Sequence, residues 1–171
     1  MSDFGSFTSG TLILTPRGDC LVQDLVAGDL VETLDGGAQP IRVTRKTSVV
    51  TDKDSCPVRF HAGVLNNEHD LVVHPDHRIR FSGWQSDLLF GEAEVLVPAS
   101  AFVNGRTVLR EDPMPVTYHQ LWLDMPQIIF AERVATECGK SLDEVSDHAP
   151  RKAPASYHRL QAHEAEVLLA L

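Results

Sequence analysis

Apolar residues along this chain fall in short runs separated by turn residues, and the runs set up an extended pattern more than a helical one. Residues 12–15, Leu-Ile-Leu-Thr, predict a strand closed by Pro16-Arg17-Gly18-Asp19, where Pro presets φ and Gly tolerates the positive φ that other residues avoid. Extended chain resumes over 20–22, and 24–28 predict one tight helical turn. A strand over 30–34 then turns through Asp35-Gly36-Gly37 into a partner over 41–50. The same grammar recurs at 58–61, 71–74, 78–81 and 94–97, and Pro98 opens a helical turn that Asn104-Gly105 ends. The clearest alternation covers 116–124: Val116, Tyr118, Gln120, Trp122 and Asp124 share one face, while Thr117, His119, Leu121 and Leu123 share the other. Residues 128–131 are expected as the partner of that strand. At least eight short strands at close spacing predict an all-β domain of barrel or sandwich type.

The pattern changes after Gly139. Ser141 with Glu144 three positions on predicts a capping box for a brief helix, which Ala149-Pro150-Arg151-Lys152-Ala153-Pro154 breaks. From Ser156, the positions Tyr157, Leu160, Val167, Leu168 and Leu171 fall at helical spacings, with Arg159, Gln161, Glu164 and Glu166 for the wet side. A short C-terminal amphipathic helix docked on the β domain is expected. The division is 1–5 as an N-terminal peptide, 6–139 as the β domain, and 140–171 as linker and helix.

Composition narrows the classes of function. The 171 residues fit one domain, and 43% hydrophobic content suffices for a core. With 15 basic and 24 acidic residues the formal charge is −9, which repels phosphate backbones, and no basic face offsets it, so nucleic acid is not expected. The opening Met1-Ser2-Asp3-Phe4-Gly5 has no basic region followed by an apolar run, and no segment approaches the roughly 20 apolar residues that span a bilayer. A cytoplasmic location with no membrane contact is the expectation, non-classical export staying open. Cys20, Cys56 and Cys138 are an odd number at wide spacing, against a disulfide scaffold, and none forms a C-x-x-C pair.

Candidate chemistry begins with Ser6-Phe7-Thr8-Ser9-Gly10-Thr11-Leu12-Ile13-Leu14-Thr15-Pro16-Arg17-Gly18-Asp19, continued by Asp24-Leu25-Val26-Ala27-Gly28-Asp29 and Asp35-Gly36-Gly37. This series resembles the opening of the Hint domain, the self-processing module shared by hedgehog proteins and inteins, over roughly residues 6 to 139. The resemblance implies a horseshoe-like β fold of many short strands. It also implies an acyl shift, in which a side-chain nucleophile attacks the carbonyl carbon of the preceding residue and converts an amide into an ester or thioester. That position normally holds Cys and here holds Ser6, so the bond concerned is Gly5–Ser6.

Further residues follow from the same resemblance. The proton donor to the departing nitrogen is expected in a Thr/Ser-x-x-His motif at a strand end, which Val73-His74-Pro75-Asp76-His77-Arg78 matches at His77, with His74 replacing the small hydroxyl residue. A His near its unperturbed pKa of about 6.5 can give up a proton at neutral pH. Related bacterial members carry a second His just before the late strand, where this chain has Met125-Pro126-Gln127. His119 is read as a structural residue, and Asp124 is the candidate orienter. Splicing needs a terminal Asn, and Glu137 stands there in Ala135-Thr136-Glu137-Cys138, which leaves cleavage in the hedgehog manner as the family reaction to consider.

Two arguments weigh against that cleavage. A serine hydroxyl is a much poorer nucleophile than a cysteine thiolate. Cleavage before Ser6 would also release only Met1 to Gly5. The leading expectation is a Hint-type domain with a degenerate self-processing site, kept as a scaffold for a protein partner or for self-association; the alternative is an active N-to-O acyl shift at Gly5–Ser6. Cys56, His61, His69, His74, His77 and His119 include zinc-ligand types, but His74-Pro75-Asp76-His77 is not the helical H-E-x-x-H pattern, so no metal and no cofactor are expected.

Overall fold

In the computed structural model, residues 5–138 and 157–170 are described. The all-β expectation holds: the described residues form two sheets with two short α-helices. The first sheet has six strands in the order β11 (Val108–Arg110), β7 (Val58–Phe60), β8 (Leu71–Val73), β1 (Ser6–Thr8), β12 (Pro115–Trp122) and β6 (Val43–Val50). The second runs β15 (His158–Arg159), β10 (Glu94–Pro98), β9 (Arg78–Ser82), β14 (Val134–Glu137), β13 (Ile128–Ala131), β2 (Leu12–Thr15) and β3 (Gly18–Leu21). From it β4 (Leu30–Thr33) branches off β13 and carries β5 (Gly37–Pro40). Strand numbers follow chain order.

Local chemistry explains the tight connections. Between β4 and β5, Thr33 Oγ1 donates to the Gly37 carbonyl at 2.7 Å and accepts from the Gly36 amide at 3.0 Å, while Gly37 takes φ 64°, a value that favours glycine. The β13–β14 hairpin instead turns on two residues with side chains, Glu132 at φ 47° and Arg133 at φ 68°. Their left-handed backbone is held by the buried Glu132 carboxylate, which accepts from the Leu12 amide at 2.7 Å and lies 3.1 Å from His69 Nδ1, and by the Arg133–Asp19 ion pair at 2.8 Å.

The strand predicted at 128–131 is present, but it does not pair with the strand at 115–122. Both edges of β12 are already taken, by β1 on one side and β6 on the other, so β13 crosses to the second sheet and pairs with β14, β2 and β4. Along the centre of β12, Tyr118, His119, Gln120 and Leu121 are all buried, so both faces of the strand are covered there. The sequence reading also missed helix α1 (Trp84–Phe90), whose signal is Gly91, the left-handed residue at φ 67° that ends it with an N–H bond to the Asp87 carbonyl.

The main core gathers Phe7, Ile13, Val31, Phe60, Leu71, Ile79, Leu121 and Ile129 between the sheets. Each fully buried side chain of this size contributes about 1.5–3 kcal/mol relative to exposure. The tail helix, α2 (Ala162–Leu169), is capped by a reciprocal Gln161–Glu164 box and packs on its own domain through Ala165 and Leu168, of which only Leu168 belonged to the predicted stripe. It begins later than expected, after strand β15, and Val167 faces outward. The helix predicted near Ser141–Glu144 lies outside the described residues. No helix of the described residues is long and apolar enough to cross a membrane.

Candidate functional site

Strand β1 carries the residues that the sequence singled out first. It lies between β8 and β12, with Ser6 opposite Gln120, Phe7 opposite His119 and Thr8 opposite Tyr118. Side chains alternate along a strand, and directly opposed residues share a face. Ser6 therefore looks toward Gln120, Tyr118 and Thr8, while Phe7 and His119 look the other way. The contacts agree: Gln120 Nε2 donates to Ser6 Oγ at 3.1 Å, and His119 Nε2 lies 2.8 Å from Ser9 Oγ.

His77 follows the turn that leaves β8. Its amide donates to the His74 carbonyl at 2.9 Å, its carbonyl accepts from the Ala99 amide at 2.8 Å, and its ring stands edge-on to Phe7 with centroids 4.6 Å apart. The ring is fully buried, and neither nitrogen has a hydrogen-bond partner among the described residues. Burial, with the nearby His74 adding to it, depresses its pKa to about 3, so the imidazole is neutral at pH 7. The ring thus packs against Phe7, on the face of β1 turned away from the Ser6 hydroxyl.

His74 is on the Ser6 side. Its amide donates to the Ser6 carbonyl at 3.2 Å, its Nδ1 accepts from the Asp76 amide at 3.2 Å, and its ring meets Tyr118 at 5.3 Å. The Tyr118 hydroxyl is buried without a partner among the described residues, and burial raises its pKa, with Cys56 adding to the effect. Asp124 is elsewhere. It follows the end of β12, four residues past Gln120 and so about 13 Å along the strand, and both its oxygens accept from Arg42 at 2.8 Å.

The cluster on the Ser6 face is accordingly Ser6, Gln120, His74 and Tyr118. Gln120 and Tyr118 were not proposed from the sequence, although the alternation over 116–124 had put them on one face; what was lacking was the β1–β12 register that brings that face to Ser6. His119 is buried beside Ser9 on the other face, its pKa lowered by burial and by Lys46 across the ladder. The six His and Cys residues weighed as zinc ligands do not assemble: no group of three or more His, Cys, Asp or Glu side chains suited to a metal occurs among the described residues.

With this geometry in view, residues 5–143 match the sequence model of the Hint domain. The chain belongs to the Hint domain family. Solved structures share the fold at low identity: a bacterial intein-like domain from Clostridium thermocellum (13% identity, TM-score 0.50, covering 80% of this chain and 99% of that one). A splice-inactive variant of the AceL NrdHF class 3 split intein is similar at 17% identity and TM-score 0.50, over 80% and 98% of the two chains. The N145AA form of the MchDnaB-1 intein is similar at 13% and 0.50, over 78% and 99%. No curated protein matches the sequence. The Hint domain seen here has the architecture of a self-processing-type module, with Ser6 on its first strand and the tail strand β15 added to the far edge of its second sheet.

Proposed function

We propose that this Hint domain has lost its acyl shift and is retained as a protein-binding scaffold. The observation that supports this most directly is that neither ring nitrogen of His77, the donor expected for the Ser6 nitrogen, has a hydrogen-bond partner among the described residues. The shift requires Ser6 Oγ to lose its proton and bond to the Gly5 carbonyl carbon while the Ser6 nitrogen leaves that carbon and gains a proton, giving a Gly5–Ser6 ester. An alcohol makes that attack only when a base takes its proton. Gln120 Nε2 donates to Ser6 Oγ, and a carboxamide accepts no proton at neutral pH whichever way it is turned, so this contact supplies no base. His77, the donor expected from the family pattern, is a neutral ring in an apolar setting, poorly suited to protonating a leaving nitrogen at pH 7.

Glu137 also stands where a splicing member has Asn, and its carboxylate is engaged by Arg159 Nε at 2.8 Å, an ion pair with a structural use. The test is intact mass before and after hydroxylamine, which cleaves esters and thioesters. The full-length mass is expected to persist, both for the natural chain and for Ser6→Cys. Release of residues 1–5 from the natural chain would overturn the proposal in favour of an active N-to-O shift. Release from Ser6→Cys alone would confine the loss to the nucleophile and refute a defect of the whole site.

A further inference from the structure

The buried apolar residues divide into two clusters. Among the described residues, the buried members of the main core run no further than Cys138. The second consists of Val95 and Val97 of β10 with Leu160, Ala165 and Leu168 of the tail, flanked by Phe81, Phe90 and Phe102. The tail is thus seated in a groove of its own, reached through the 18 residues 139–156.

Three kinds of contact hold it there, and each reads a different feature. Strand β15 adds in parallel to β10, with the Leu160 amide donating to the Leu96 carbonyl at 2.9 Å. Arg159 Nε donates to the buried Glu137 carboxylate at 2.8 Å, and Arg78 Nη1 donates to the Leu160 carbonyl at 2.9 Å. Leu160 and Leu168 then fill the apolar floor. Strand addition supplies backbone affinity, and the side-chain pockets supply selectivity. Arg159 itself stays half-exposed, 52% against 7% for Glu137, so the acidic half of the pair belongs to the groove and the basic half to the removable segment.

We propose that this groove is a peptide-docking site, that residues 157–170 are its tethered resident, and that a protein partner binds by displacing them with a segment of the same chemistry. That chemistry is an extended stretch bearing Arg next to Leu, followed by a short helix with two buried apolar positions. The proposal rests on the scaffold reading and names its binding surface. A tethered segment acts at an effective concentration in the millimolar range, so a free segment competes poorly until the tether's own contacts are weakened.

The test uses a fluorescently labelled peptide of residues 156–171 and the full chain, natural or carrying Arg159→Glu with Leu168→Asp in its own tail. Anisotropy should show at least about tenfold tighter peptide binding to the weakened chain than to the natural one. A peptide carrying Arg159→Glu should bind at least tenfold more weakly than the natural peptide. Cooperative thermal unfolding of the weakened chain establishes that its main core is intact; should that chain not fold, Arg159→Glu alone replaces it. A folded weakened chain that binds no peptide, or binds both peptides equally, overturns the proposal. So does a natural chain that is dimeric by light scattering and dissociated by the peptide, since a second copy would then be the occupant. None of these readouts involves Ser6 chemistry, so an active acyl shift would show in the mass experiment and leave the binding result to be judged separately.

Discussion

Replacing His77 with Phe should flatten the acid side of the stability profile of this domain. In the folded chain His77 is fully buried against Phe7 with both nitrogens unpartnered among the described residues, and its pKa is depressed to about 3, while in the unfolded chain it returns to about 6.5. A depressed folded pKa means that the unfolded state binds more protons between these values. The stability is therefore fully present above pH 6.5 and is lost as the pH falls toward 3. From those two pKa values, the loss attributable to this one ring between pH 7 and pH 5 is about 2 kcal/mol. With an m-value of about 2 kcal/mol per molar urea, the unfolding midpoint of the natural chain should drop by about 1 M more than that of His77→Phe over the same interval. Urea unfolding followed by far-ultraviolet circular dichroism at pH 7, 6 and 5 supplies the comparison, and the difference between the two chains removes the contributions of the other histidines. Equal slopes for the two chains would refute the placement of a neutral, unsolvated imidazole behind β1.

Two further outcomes follow from the contacts. Glu132→Ala removes the carboxylate that satisfies the Leu12 amide and faces His69, at a cost of about 1.5–3 kcal/mol, while Glu132→Gly should be about 1 kcal/mol more stable than Glu132→Ala because φ 47° no longer strains a side chain; chemical denaturation of both variants checks the order. Asp124→Asn disturbs an exposed pair with Arg42 and should leave the urea midpoint unchanged. A clear drop would show that Asp124 holds more of the structure than a surface pair.

The turn chemistry was legible in the linear pattern because it is local. Pro16-Arg17-Gly18-Asp19 and Asp35-Gly36-Gly37 punctuate hairpins that the structure contains, although the partner across the second is Gly37–Pro40 and not the expected 41–50, since Val43–Val50 pairs with β12 in the other sheet; the alternation over 116–124 marked the long strand of the first sheet. Pairing was not legible. The strand at 128–131 follows the long strand closely in sequence, yet it could not pair there once β1 and β6 had filled both edges. Helix α1 was lost among short apolar runs because seven residues carry too few periods to separate a helix from a strand.

By itself, then, the sequence determined the all-β class, the docked apolar stripe of the tail and the resemblance to the Hint family, each of which depends on residue type and spacing along one segment. The tertiary structure alone decided which residues share the Ser6 face. A one-residue step along a strand reverses the side of every side chain, so only the register of β1 against β12 could set Gln120 beside Ser6, and only its pairing with β8 could bring His77 to Phe7. It alone also revealed that Glu137, identified by its position near the end of the β domain, binds Arg159, because that pair joins segments separated in sequence and meets only when β15 is added to β10.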